Sequence, residues 1–151
     1  MAGEYRKVSV NIMGEDSQRP NFADIPPLMK KWVQDDLVQK ENEHITQYLS
    51  RIHSQFQDIH PFRDGNGRVG RLVMSIILLQ QGYPVLAFTP AVSNLFNYGV
   101  RMGTRGNNRI FARLLAEVLF VSFQAYESAL DEKMLPSFQE SVQGVAGIAS
   151  A

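Results

Sequence analysis

The strongest constraint in this chain is a segment rich in glycine and arginine between two apolar helical patterns. It reads His60-Pro61-Phe62-Arg63-Asp64-Gly65-Asn66-Gly67-Arg68-Val69-Gly70-Arg71. Upstream, Ile45, Leu49, Ile52, Phe56 and Ile59 recur at the spacing of an amphipathic helix. Pro61 biases His60 away from helical backbone, so this helix stops there. Downstream, Arg68 to Gln81 predicts a second, buried helix closed by Gly82 just past its end. The segment is therefore an interhelical loop that opens directly into a helix N-terminus.

The rest of the chain is mostly helical by the same criteria. Pro26 and Pro27 suit a first helical turn, and Leu28, Met29, Trp32, Val33 and Leu37 follow at helical spacing. Pro90 to Met102 predicts a fourth helix, and Asn108 to about Lys133 a long fifth with Phe111, Leu114, Leu115, Val118 and Leu119 as core. Near the start, Val8, Val10 and Ile12 alternate with Lys7, Ser9 and Asn11, which predicts a short strand. Turn residues Gly14, Asp16, Ser17 and Pro20 then lead to Phe22 and Ile25, so a small β-hairpin is expected over 8–25. The fold class is mainly α with a short N-terminal β-hairpin, and 151 residues with 44% apolar content suit one domain over 1–151. A tail over about 136–151, ending in small uncharged residues, is expected to be poorly ordered.

Composition excludes several functions. No cysteine is present, so disulfides, thiolate metal sites and a cysteine nucleophile are out, which suits a cytoplasmic setting. Fifteen basic and fifteen acidic residues cancel, giving no support for a nucleic-acid or anionic-membrane partner. The longest apolar run, Leu72 to Leu79 broken by Ser75, is too short to span a bilayer, and the N-terminus lacks a signal-peptide core. Any attraction for phosphate must be local.

The loop supplies it. Gly65 and Gly67 let backbone N–H groups converge on an anion, and the following helix aims its positive dipole end at the same place. Arg68 and Arg71, at i and i+3, share one face of the first turn and suit bidentate phosphate binding. Asp64 would repel a phosphate unless a divalent cation intervenes, and Mg²⁺ commonly binds through one carboxylate plus substrate phosphates. His60 can take a proton near neutral pH, and Phe62 is placed to pin the loop inward. A base, a metal ligand, anion-binding amides and two arginines describe nucleotide-dependent group transfer.

With these residues in view, the sequence resembles the Fic (filamentation induced by cAMP) family, whose signature is His-x-Phe-x-(Asp/Glu)-Gly-Asn-Gly-Arg-x-x-Arg. His60, Phe62, Asp64, Gly65, Asn66, Gly67, Arg68 and Arg71 match it. GEYR near the start, His53 before the motif and LLQQGYP after it are similar as well, so the resemblance covers roughly residues 3–130. It implies a protein adenylyltransferase that moves AMP from Mg²⁺-ATP to a Ser, Thr or Tyr hydroxyl. His60 would be the base and Asp64 the Mg²⁺ ligand. Gly65-Asn66-Gly67 would form the anion hole, Arg68 and Arg71 would hold the β- and γ-phosphates, and Phe62 belongs to the same nucleotide-binding loop. The hairpin would be the flap on which a target protein docks. An ungapped reading sets Asn97 and Thr104 at the family's base-binding positions, with Tyr98 one residue on.

The same resemblance carries rivals: a Doc-like kinase transferring the γ-phosphate, other nucleotidyl or phosphocholine transfer, AMP removal, or a non-enzymatic nucleotide-binding domain. Gly67 favours AMP transfer, because Doc-like relatives usually lack that glycine. His53 falls on the Leu49–Phe56 stripe and reads as a core histidine. Arg101, Arg105, Arg109 and Arg113 read as a solvated helix face. The family's inhibitory helix, Ser/Thr-x-x-x-Glu-Gly/Asn, finds its nearest match at Ser128 to Glu132, but Lys133 breaks it. Self-inhibition through Glu132 is therefore not expected. Inhibition would come from a partner protein or from a helix outside this sequence, and the protein would act in the cytoplasm or be delivered to a host's.

Overall fold

The computed structural model describes residues 3–10 and 19–133, with side chains through Leu130. An arm without helix leads into a 3₁₀ turn at Phe22–Asp24, where the Asn21 side chain accepts from the Ala23 N–H at 3.0 Å. Helix α1 (Ile25–Lys31) follows, with both prolines in its first turn, and widens into a π turn at Trp32–Asp36. Then come α2 (Ile45–Ile59), α3 (Asn66–Gln80), α4 (Pro90–Thr104) and α5 (Asn108–Lys133).

Helix α2 is the hub, packing against α3, α4 and α5. Its buried residues include Leu49, Ile52 and Phe56 but also Ser50, His53, Ser54 and Gln57, so it is enclosed on more than one face. Trp32 reaches it from the π turn, its indole N–H donating to the Ile52 carbonyl at 3.0 Å. On the far side α4 comes so near that a Cβ at Gly103 would collide with Ser54 Oγ. Helix α5 completes the core with Phe111, Leu115, Val118 and Leu119 buried, while Leu114 is half-buried.

The end of α3 matches the sequence reading closely. Gly82 adopts φ +77°, with its N–H on Leu79 O at 3.1 Å and the Tyr83 N–H on Leu78 O at 2.9 Å, a Schellman closure. Observed helix limits differ from the expected ones by about a turn or less; α3 begins at Asn66 rather than Arg68.

The expected hairpin is corrected. Residues 11–18 lie outside the described part, and the described residues on either side form no strand. Where the turn residues lead to an expected return strand, Phe22–Asp24 coils into the 3₁₀ turn. The two arms are instead bridged by a side chain: the Arg6 guanidinium donates to Val8 O at 2.9 Å and to Pro20 O at 2.7 Å. Those carbonyls are thereby taken by a guanidinium rather than by a partner strand. The expected tail and the Glu132 and Lys133 side chains also lie outside the described residues. Among the described residues no helix is long and apolar enough to cross a membrane.

Candidate active site

The site begins where α2 ends. His60 closes that helix in the left-handed region, at φ 48° and ψ 60°, its N–H bonded to Phe56 O at 3.0 Å. Such a conformation is uncommon and strained for a residue with a side chain. Its ring Nδ1 lies 3.3 Å from the Gln57 carbonyl. A carbonyl can only accept, so that contact puts the proton on Nδ1 and the basic lone pair on Nε2.

The turn that follows is held shut by Asn66. This side chain is 2% exposed; its Oδ1 accepts from the Phe62 N–H at 2.9 Å and its Nδ2 donates to the Phe62 carbonyl at 2.7 Å. Gln57 Nε2 donates to Asn66 O at 3.2 Å from the helix behind. The Asn66 side-chain amide is therefore engaged within the loop, which leaves only backbone N–H groups of this segment for the expected anion hole. Phe62 packs against Phe56 at 6.4 Å and Tyr5 at 5.9 Å between ring centroids, which pins the loop as the sequence suggests.

Gly65, at φ +85°, caps α3 with no side chain of its own. Asp64 Oδ1 accepts from the Gly65 N–H at 2.6 Å, and Oδ2 pairs with Arg68 Nη2 at 3.1 Å. Arg71 lies over the Phe88 ring, its guanidinium carbon 5.4 Å from the centroid. His60, Arg63, Asp64, Gly65, Asn66, Gly67, Arg68 and Arg71 line one cavity of about 270 Å³. A second cavity of about 270 Å³ is lined by Arg71, Phe88, Ser93, Phe96 and Asn97. Arg71 is common to both.

Most of the predicted residues thus converge. Asn97 is brought to the second cavity, whereas Thr104 lies at the end of α4, its hydroxyl bonded to Arg101 O at 3.2 Å, and lines neither. Tyr98 is 45% exposed and also lines neither. Phe62 turns toward a larger hollow of about 740 Å³ between the loop and the arm, lined also by Tyr5, Arg6, Val8 and Val69.

His53 is a core residue. It is 2% exposed, meets Phe96 and Phe111 edge-on, and neither ring nitrogen finds a hydrogen-bond partner among the described residues. Burial, helped by the Arg71 cation nearby, pulls its pKa down to about 3, so it stays neutral.

Among the described residues no group of three or more His, Cys, Asp and Glu could hold a metal. A lone, exposed carboxylate beside arginines fits a cation that arrives already bound to phosphates, not an all-protein metal site. Sequence reasoning missed Arg6, Gln57 and Phe88. Arg6 lies in the GEYR stretch, but nothing there announces burial.

Residues 1–78 match the Fic/DOC family, and the chain belongs to it. Over 118 residues it is 30% identical to the protein adenylyltransferase Fic of Drosophila grimshawi, covering 76% of this chain and 24% of that protein. The Drosophila yakuba counterpart is 30% identical over 116 residues, covering 76% of this chain and 23% of that one. The chain therefore spans about a quarter of the length of these relatives. Its fold resembles a Fic domain containing signaling protein from Bacteroides thetaiotaomicron, with TM-score 0.66 and 21% identity over 81% of this chain and 53% of that one. It also resembles Fic-1 from C. elegans, with TM-score 0.64 and 22% identity over 87% and 38%.

Proposed function

We propose that this chain is the catalytic domain of a protein adenylyltransferase. The observation that carries this reading is the pair of cavities joined at Arg71. One holds His60, Asp64, Arg68 and the α3 N-terminus, and the other offers Phe88, Phe96 and Asn97. A polyphosphate suits the first and a nucleobase the second. The names of the Drosophila relatives agree with it.

In this reading the backbone N–H groups of the first α3 turn, with Arg68 and Arg71, receive the β- and γ-phosphates. Asp64 would hold a Mg²⁺ brought in with ATP, and the cation would neutralise phosphate charge. The Asp64 carboxylate would then release Arg68, whose guanidinium would turn to phosphate. Little is lost, because an exposed pair of this kind contributes little. His60 Nε2 takes the proton of a Ser, Thr or Tyr hydroxyl on the target protein. The hydroxyl oxygen forms a bond to the α-phosphorus, the bond from that phosphorus to the bridging oxygen breaks, and pyrophosphate leaves. Catalysis is by positioning and charge placement. The target segment lies in the hollow between Phe62 and the arm, which opens beside the loop.

The test is parallel incubation with α-³²P-ATP and γ-³²P-ATP, Mg²⁺ and a lysate. Protein labelled from the α position only, and lost in His60→Ala by about 10²–10⁴-fold, is the expected result. Label from the γ position instead would make the protein a kinase and refute the proposal.

A further inference from the structure

Arg6 is 4% exposed, and among the described residues no carboxylate pairs with it. A buried cation without a counter-ion is costly, so its donors must be well satisfied. They are satisfied by main-chain carbonyls. Nε donates to His60 O at 2.8 Å, and Nη2 reaches Ile59 O at 3.5 Å as well as Pro20 O. The Arg6 backbone N–H adds a bond to Pro61 O at 2.8 Å. Three consecutive carbonyls, those of Ile59, His60 and Pro61, are thus held by one residue. They belong to the end of α2, where a cation is also favoured by the helix dipole.

The location matters more than the number. The φ and ψ of His60 describe rotation between two peptide planes, one carrying the Ile59 carbonyl and the other the His60 carbonyl. Arg6 grips both. His60 occupies a strained left-handed conformation, which persists only when its surroundings over-determine it. Fixing the two planes fixes the direction in which the Cα–Cβ bond leaves, and hence where the ring points.

We infer that Arg6 is the positioning residue for His60: its guanidinium sets the backbone that aims the imidazole into the cavity. The inference rests on His60 as the base of the proposed transfer. Lysine cannot replace this fork, since its single ammonium cannot reach several carbonyls in one plane.

The experiment compares wild type, Arg6→Lys and Arg6→Gln well below their unfolding temperatures. Misaiming the base lowers kcat for AMP transfer by about 10²-fold, with KM for ATP nearly unchanged because the phosphate groups are untouched. In the same samples the His60 ring ¹H–¹³C signal shifts and broadens. Folded Arg6→Lys or Arg6→Gln with wild-type kcat overturns the inference, as does an equal loss in kcat and ATP affinity. Loss of folding in both variants would also overturn it, making Arg6 a fold-holding residue. Should the wild type transfer no label, the functional reading falls separately, and the His60 signal alone decides: unmoved and equally sharp in both variants, it refutes the role of Arg6.

Discussion

Gly70 sits where α3 crosses α2, and replacing it with alanine sets two effects of opposite sign against each other. Within a helix, alanine is favoured over glycine by about 0.5–1 kcal/mol. Against this, a Cβ at Gly70 would lie 2.8 Å from His53 Nε2, 2.9 Å from His53 Cδ2 and 3.0 Å from Gln57 Nε2. Ordinary contact begins at 3.4 Å, so the nearest atom must yield roughly 0.6 Å. It has little room. The His53 ring is flanked by Phe96 at 5.3 Å and Phe111 at 5.6 Å, and Gln57 is tied to Asn66 O. Overpacking of this kind costs about 1–3 kcal/mol, so the clash wins and Gly70→Ala destabilises by about 0.5–2 kcal/mol net. For a domain of this size each kcal/mol moves Tm by about 2–4 °C. Chemical denaturation of the single variants and of the Gly70→Ala/His53→Ala double variant measures the coupling. Removing the ring should relieve the methyl, giving an interaction energy of about 0.5–3 kcal/mol. Stability of Gly70→Ala at or above wild type, or strict additivity in the cycle, would show that the two helices are not in the tight contact argued here.

Two further outcomes follow from the same geometry. His53 titrates near 6.5 when unfolded and near 3 when folded, so the fold requires it neutral. The stability this confers is complete above pH 6.5 and is lost as pH falls toward about 3. Denaturation curves across that window should steepen in wild type relative to His53→Leu, and parallel slopes would disprove the assignment. Asp64→Asn removes the partner of Arg68 from an exposed pair, so Tm should change little while the Mg²⁺ dependence of nucleotide binding weakens. An unaltered Mg²⁺ titration, read by calorimetry with ATP, would take Asp64 out of the metal site.

What could be read from sequence divides along a physical line. Helix α2 was legible because Ile45, Leu49, Ile52, Phe56 and Ile59 repeat with the helical period and Pro61 ends it. The end of α3 was legible because a left-handed closure suits glycine, and Gly82 is there. The cavity lined by the loop was legible for a similar reason: a site built from contiguous backbone and the first turn of a helix leaves most of its pattern within Asp64 to Arg71. What failed to show depends on residues far apart in the chain. Arg6 meets His60 across 54 positions, and a buried arginine has no periodicity to betray it; by residue type alone it belongs on the surface. The described residues of the expected hairpin form no strand, and alternation at Val8 and Val10 cannot reveal that the carbonyls of Val8 and Pro20 meet a guanidinium. Asn66 shows the boundary within a single side chain. Its place in the loop was plain, but its use was not, because only packing against Phe62 and Gln57 decides whether an amide meets ligand or closes the turn. In this site the groups that would touch phosphate are local in sequence, while Arg6, which grips the backbone of the proposed base, is not.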